Sequence, residues 1–512
     1  MKIFKTFQKT LHLALLVVTT TLFAQTPQQL HYLDTYFEKS LKEWQIPGMA
    51  IAIVNADSIV FSKGYGFANL EKKQPVDGNT LFAVASNSKA FTATAIAKLV
   101  EEGKLNWGDK VIDHLPYFRM YDDYVTTHFT ITDLLCHRSG LKTFSGDLLW
   151  YGTTLSAEEI IRGQEYLKPT TEFRTTFGYS NIAFLAAGKI IEKVTGESWQ
   201  EYVQQQFLSP LQMNRTLTST RQLQNTDNVS VPYFLEGNKN HPLAWLNWDN
   251  IAPAGALISS ANDFAKWLQL NINKGTFNDK QYFSTTSLTT LTTPHVNFSI
   301  RENEQNNTYR GYGLGWDVQD YEKTKIVSHG GGYDGMISKT FFIPEKRLGV
   351  VILTNNLNYL PSALTNKILD VLLTDTFDKT DWSAKYLEYR TKQDVVTKME
   401  QENMESERGT LGKNPLPIAD FTGIYKDKMY GTVTVSEKNN ILHFTMDKTP
   451  IFYADLKHWN NLIFTFRFPM HLSSLPTGKM QFTTNENSKI TGLKIVVENP
   501  DFDFTEFDFV KQ

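Results

Sequence analysis

The 512 residues contain a single cysteine, Cys136. That excludes an intrachain disulfide framework and any metal site built from several thiolates. Zinc-hydrolase spacing is missing too, because the eleven histidines are scattered and form neither His-x-His nor His-Glu-x-x-His. There is no Gly-x-Ser-x-Gly elbow and no G-x-x-x-x-G-K-[ST] phosphate loop. A net charge of −3 gives no electrostatic footprint for nucleic acid or an anionic membrane surface. No stretch reaches the ~20 apolar residues that a transmembrane helix needs. Internal repeats and low-complexity tracts are absent as well. No motif calls for a cofactor or metal, and nothing in the chain speaks to oligomeric state.

What is present supports well-packed cores: 41% hydrophobic and 13% aromatic residues. The length predicts two or three domains. Residues 1–24 have the layout of a secretory signal peptide: a basic start (Lys2, Lys5, Lys9), an apolar run (Leu11–Val18) and a small-residue tail ending at Ala24. Export to a periplasm or medium, without a membrane anchor, is the expectation. From 25 to 375 the pattern is α+β. A helix is expected over Gln28–Trp44, and short strands over Met49–Val54, Ser58–Phe61 and Tyr65–Phe67. Helices fill the middle, and strands return at 311–316, 325–328, 338–342 and 348–354, followed by a helix over Leu360–Leu373. Strands at both ends predict one shared sheet. Residues 376–417 read as a charged helical linker. Short, evenly spaced strands over 418–512 predict a small β barrel or sandwich whose core holds the aromatics of 451–468.

The stretch richest in chemistry is Phe82–Leu105. An apolar entry meets Ser86-Asn-Ser-Lys89, and helix formers continue to Glu102 before Gly103. Ser86 then lies at a helix start with Lys89 one turn on, on the same face. A serine hydroxyl needs a base to become a nucleophile, and a desolvated amine can supply one. Further on, Tyr179-Ser-Asn181 precedes an apolar helix. A tyrosine hydroxyl near a cation could take a proton, and the Asn181 amide could orient Lys89 or hold a substrate carbonyl. Third comes Ser328-His329-Gly330-Gly331-Gly332, just after a strand pattern. Glycines at a strand edge let a substrate backbone approach, and a free N–H at Gly332 could join that of Ser86 in an oxyanion hole. Each pattern alone is also what ordinary helix caps and turns produce. His137 and Cys136 read as structural, the histidine within an apolar helix start and the cysteine as a packed thiol.

Together and in this order, the three elements resemble the serine β-lactamase and penicillin-binding-protein superfamily. The chain lacks Ser-Asp-Asn and Lys-Thr-Gly, so it is most similar to the class C β-lactamase-like branch, with its D-alanyl-D-alanine carboxypeptidases, D-aminopeptidases and esterases. Ile46-Pro-Gly48, Leu134–Leu141, Ala254–Ser259 and Tyr312–Trp316 extend the likeness, which covers about 30–375. The resemblance implies an antiparallel sheet flanked by helices. It makes Ser86 the acylated nucleophile, with Lys89 and Tyr179 sharing the proton transfers and the choice of base open. Asn181, His329, Gly330 and Gly331 would meet substrate, and the N–H groups of Ser86 and Gly332 would hold the oxyanion. His329 stands where β-lactamases carry a lysine. Histidine is mostly neutral at pH 7, so the need for an anionic substrate group should relax, favouring an esterase or peptidase. A β-lactamase, or a penicillin-binding sensor with little turnover, is the alternative. The β domain could also cap the cleft and choose the substrate.

Overall fold

The computed structural model describes residues 25–300, 307–469, 472 and 475–512. The leader-like segment 1–24 lies outside them. Among the described residues the larger unit is built on one nine-stranded sheet. Its order across the sheet is Val296–Asn297, Arg310–Tyr312, Asp317–Tyr321, Thr324–Tyr333, Met336–Ile343, Leu348–Thr354, Gly48–Asn55, Ile59–Asn69 and Gln74–Pro75. Strands from the two ends of the unit are therefore neighbours: Ala50 pairs with Leu353 and Ile53 with Val350, antiparallel.

The strand Gly48–Asn55 shows how the layers form. Its sequence alternates large and small apolar residues and is buried throughout except at Asn55. Ile51 and Ile53 face one layer with Leu33, Phe37, Leu364 and Ile368 from the helices Pro27–Glu43 and Leu360–Thr374. Ala50, Ala52 and Val54 face the other, where small side chains let the Ala261–Ile272 helix lie close. A strand covered on both faces carries a nearly continuous apolar run. Behind that second layer sits the Ser88–Glu101 helix, buried on almost all sides, as a helix apolar all round requires. Phe91 of this helix stacks on Trp267 with ring centroids 3.8 Å apart. The Asn181–Thr195 helix packs beside it and ends at Gly196 in the left-handed conformation that glycine adopts freely.

Several expectations need correction. Ile59–Asn69 is one continuous strand, not two. The segment 313–316, expected as a strand, is a turn closed by Gly313 N–H donating to the Trp316 carbonyl, because the glycines permit the reversal. The His329 glycine run is not beyond the strand but inside it, within Thr324–Tyr333. His137 follows the Ile131–Leu135 helix in a left-handed conformation rather than lying within it.

The second unit is a closed antiparallel barrel of eight strands among the described residues, from Gly423–Asp427 to Phe509–Lys511. Gly423–Asp427 and Tyr453–Asn460 are two of its strands, and Phe504–Glu506 is a 3₁₀ turn just before the last one. Its interior is filled by Phe421, Phe444, Phe464, Phe466 and Phe482 in edge-to-face contact. Side chains fill a barrel of this size. The Trp382–Ser406 helix joins the units and is exposed over most of its length. It is tied to the sheet unit through Trp382 Nε1–H donating to Asp370, and to the barrel through Trp459 Nε1–H donating to the Met404 carbonyl. No helix among the described residues is long and apolar enough to cross a membrane.

Candidate active site

Ser86 sits in a 3₁₀ turn, Ala85–Asn87, that runs straight into the Ser88–Glu101 helix. The preceding Ala85 has φ +45°, a conformation an L side chain adopts only when its surroundings impose it. The surroundings are visible. Asn87 Nδ2–H donates to the Val84 carbonyl at 3.0 Å and to Ser338 Oγ at 2.8 Å, and Asn87 Oδ1 accepts from Thr340 Oγ1 at 2.6 Å. Gly331 completes the fit. A Cβ there would fall 2.2 Å from the Val84 carbonyl oxygen and 3.1 Å from Ser86 N. Gly331 thus faces the back of the Ser86 turn, whereas exposed Gly332 and half-buried Gly330 line the cleft with Ser86.

Lys89 is fully buried. Its Nζ lies 3.1 Å from Ser86 Oγ, 2.6 Å from Asn181 Oδ1 and 2.9 Å from the Ala254 carbonyl oxygen. The same nitrogen stands 4.7 Å from the centre of the Tyr179 ring. Burial drives the Lys89 pKa down to about 7, opposed by the charge of Asp147. Asp147 is itself buried, and desolvation raises its carboxyl to about 7. Asn181 bridges the two: its Nδ2–H donates to Asp147 Oδ2 at 2.6 Å while its Oδ1 faces Lys89. Both ends of the amide are thus engaged, which fixes the Asn181 side chain between Lys89 and Asp147 at the cleft wall.

Tyr179 is held through its backbone. Phe144 N–H donates to the Tyr179 carbonyl at 2.8 Å, and Tyr179 N–H to Thr143 Oγ1 at 3.2 Å. Burial pushes its phenol far above the ordinary value, with a hydrogen bond to Ser86 opposing. The His137 ring packs 4.4 Å from that of Tyr179, and its Nδ1 accepts from Ser180 N–H at 3.0 Å. His137 is therefore a buried support for the tyrosine loop. His329 is buried and neutral: desolvation lowers its pKa to about 3, with Lys89 adding to the effect. Its Nδ1 lies 2.6 Å from the Gly330 carbonyl and its Nε2 3.0 Å from Tyr312 Oη. A carbonyl can only accept, so Nδ1 carries the proton and Nε2 accepts from the Tyr312 hydroxyl.

These groups open on a cleft of ≈ 990 Å³. Its walls come from both units: Phe144, Tyr151 and Trp248 from the sheet unit, Arg390 from the joining helix, and Asp501 and Phe502 from the barrel. The Phe502 and Tyr151 rings lie 4.4 Å apart. Asp147, the Ala254 carbonyl and the barrel residues escaped the sequence reading. Ala254 stood in a noticed segment, but Asp147 sits in a loop with no motif around it. Among the described residues no group of three or more His, Cys, Asp or Glu side chains could hold a metal ion.

A sheet formed from both ends of one unit, with a serine turn and buried lysine where it meets a helical layer, is the architecture of the serine β-lactamases and penicillin-binding proteins. The chain belongs to the Beta-lactamase family, whose profile matches residues 33–374. A domain of unknown function, DUF3471, matches residues 407–511. Among known proteins, the chain is 29% identical over 427 residues to the unguisins hydrolase ungD' of Aspergillus campestris, covering 79% of this chain and 78% of that one. It is 31% identical over 378 residues to protein flp of Staphylococcus aureus, covering 71% and 70%. Its fold is similar to that of the octameric penicillin-binding protein homologue from Pyrococcus abyssi. That likeness has a TM-score of 0.61 and 23% identity, covering 94% of this chain and 100% of that one.

Proposed function

We propose that this β-lactamase-family protein is a serine hydrolase that forms an acyl-enzyme on Ser86 and cleaves ester or amide bonds. The observation that carries this reading is the set of partners around Lys89. Asn181 Oδ1 and the Ala254 carbonyl can only accept hydrogen bonds, so they engage two N–H groups of the amine. A neutral amine has two N–H groups and one lone pair. The lone pair is left for the Ser86 hydroxyl, 3.1 Å away. With a pKa of about 7, Lys89 holds that form in a large fraction of molecules at neutral pH. Tyr179, whose phenol stays protonated, is the weaker candidate for base and the better relay.

In this reading Lys89 accepts the Ser86 proton as Oγ attacks the carbonyl carbon. The N–H groups of Ser86 and Gly332 receive the developing oxyanion. The proton passes to the departing alcohol or amine, directly or through the Tyr179 hydroxyl, as the carbonyl–leaving-group bond breaks. Water then attacks the acyl-enzyme with Lys89 as base, releasing the acid and free Ser86. The naming of the fungal relatives as hydrolases supports a hydrolytic end point. Neutral His329 supports ester or peptide substrates without an obligatory carboxylate, of the esterase or D-amino-acid peptidase type. A second reading, as a β-lactamase or a penicillin-binding sensor, draws on Lys339, which lies in the cleft wall cross-strand from Gly330. Burial lowers its pKa and the charge of Asp317 opposes that shift, so this cation is partly balanced.

The test is a panel of p-nitrophenyl esters, D-Ala-D-Ala peptides, D-aminoacyl anilides and nitrocefin, run on the protein and on Ser86→Ala. Ester or peptide turnover lost in the variant supports the reading. Fast nitrocefin turnover would instead establish a β-lactamase, and a single acylation that stalls would establish a sensor. Export rests on residues 1–24 alone, and the N-terminal sequence of the mature protein recovered from cells checks it.

A further inference from the structure

The barrel does more than border the cleft. Glu506, in the Phe504–Glu506 turn, reaches across to the loop that carries Asp147. Its Oε1 accepts from Ser145 Oγ–H at 2.5 Å and its Oε2 from Gly146 N–H at 3.0 Å, while Tyr430 Oη–H donates to Oε2 at 2.6 Å. The loop so held is strained. The strain is at Phe144, with φ +64°, beside Gly146, whose φ of +79° glycine adopts freely. A Cβ on Gly146 would displace the side-chain ends of Leu167 and Ile182, 2.7 and 2.9 Å away, and its φ lies where L side chains rarely sit. Strained backbone persists where contacts from outside hold it.

Two connections lead from this loop to the reacting groups. Phe144 N–H binds the Tyr179 carbonyl, fixing the tyrosine backbone. Asp147 accepts from Asn181, which in turn accepts from Lys89. We propose that Glu506 is a positioning residue for catalysis, through which the C-terminal barrel sets the geometry of Asp147, Asn181 and Lys89 and so completes the active site. The inference rests on the reading of Ser86 as nucleophile. It predicts that Glu506 governs the rate of acylation and not the affinity for substrate, because its carboxylate is spent on Ser145, Gly146 and Tyr430. Burial raises the Glu506 pKa and its three donors oppose that, so the group is tuned by these contacts.

The experiment measures the second-order rate of Ser86 labelling by an uncharged fluorophosphonate, and kcat and KM on a p-nitrophenyl ester. The full chain is compared with Glu506→Ala, Glu506→Gln, Ser145→Ala and Lys142→Met. Lys142 pairs with Asp503 at the same interface but is exposed, so Lys142→Met loosens the contact between units without touching the loop's anchor. Labelling should fall about 10- to 100-fold in Glu506→Ala and recover in part in Glu506→Gln. Lys142→Met should stay within about twofold, and KM should hold while kcat falls. A folded Glu506→Ala protein labelled at the full rate overturns the proposal, as do equal losses in Glu506→Ala and Lys142→Met. If Glu506→Ala does not fold, full-rate labelling of both Glu506→Gln and Ser145→Ala overturns it. Ser86→Ala is the reference. Labelling that survives in it, or no labelling of the unaltered protein, overturns the nucleophile assignment and this inference with it.

Discussion

If Lys89 is the base that activates Ser86, the pH dependence of acylation should report its ionisation. Its ordinary pKa of 10.5 is lowered by burial to about 7. An unshifted lysine would be neutral in only about 1 in 3,000 molecules at pH 7, whereas one at about 7 is neutral in about half. Burial therefore raises the base-competent fraction by roughly 1,500-fold at that pH. Labelling of Ser86 by an uncharged phosphonate should rise about tenfold for each unit below pH 6 and level off above about 8. Asp147 favours the ammonium form, so Asp147→Asn should move the half-maximal point to lower pH while loosening the Asn181 contact and lowering the plateau. A rate that keeps climbing tenfold per unit beyond pH 9 would refute the argument, since the amine would then be solvated. A flat profile would refute it too, since no group of pKa about 7 would control the step.

Other outcomes follow from the packing. Gly331→Ala places a methyl against backbone on the far side of the Ser86 turn. It should cost about 1–3 kcal/mol of stability and abolish phosphonate labelling, as melting and labelling together would show. Asp133 is fully buried and accepts from Arg138 and Arg174, which are partly exposed, so Asp133→Ala should destabilise by about 1–3 kcal/mol in urea unfolding. Cys136 is buried and its thiol is pushed up to about 12 by desolvation, so iodoacetamide should spare it until the protein unfolds. His329 has a folded pKa of about 3 against an ordinary 6.5, so the unfolded chain binds the extra proton between those values. Stability contributed here is intact above pH 6.5 and lost as pH falls towards 3. The acid slope of the melting temperature should be shallower in His329→Gln.

The sequence was most legible where local chemistry and burial agree. Gly48–Asn55, Asn181–Thr195 and Leu348–Thr354 announce themselves by apolar pattern and end signals, and the Ser86, Tyr179 and His329 segments by residue type and order. The structure brings those three segments to one cleft. Other features had no local signature. Asp147 acquires its place only because a loop folds back between Asn181 and the barrel, and Glu506 is one carboxylate among many until Ser145 lies opposite it. Asn181 could have faced substrate on sequence grounds; its commitment to Lys89 and Asp147 arises from three segments distant in the chain. The strand at 313–316 failed for a physical reason, since aromatics between glycines satisfy a strand pattern while the glycines permit the turn that forms.

The pairing of Gly48–Asn55 with Leu348–Thr354 also bears on how the molecule is made. During synthesis the early strand emerges with a partner on one side only, Ile59–Asn69, and its other edge is open and apolar. It must wait for nearly the whole sheet unit before that edge is filled, and loop closure over such a span is slow. An open apolar edge is a template for pairing between chains. A chain ending before Leu348 would keep that edge exposed, and we expect such fragments to aggregate rather than remain as soluble partial enzymes. The same join that fastens the two ends of the unit makes its assembly all or none.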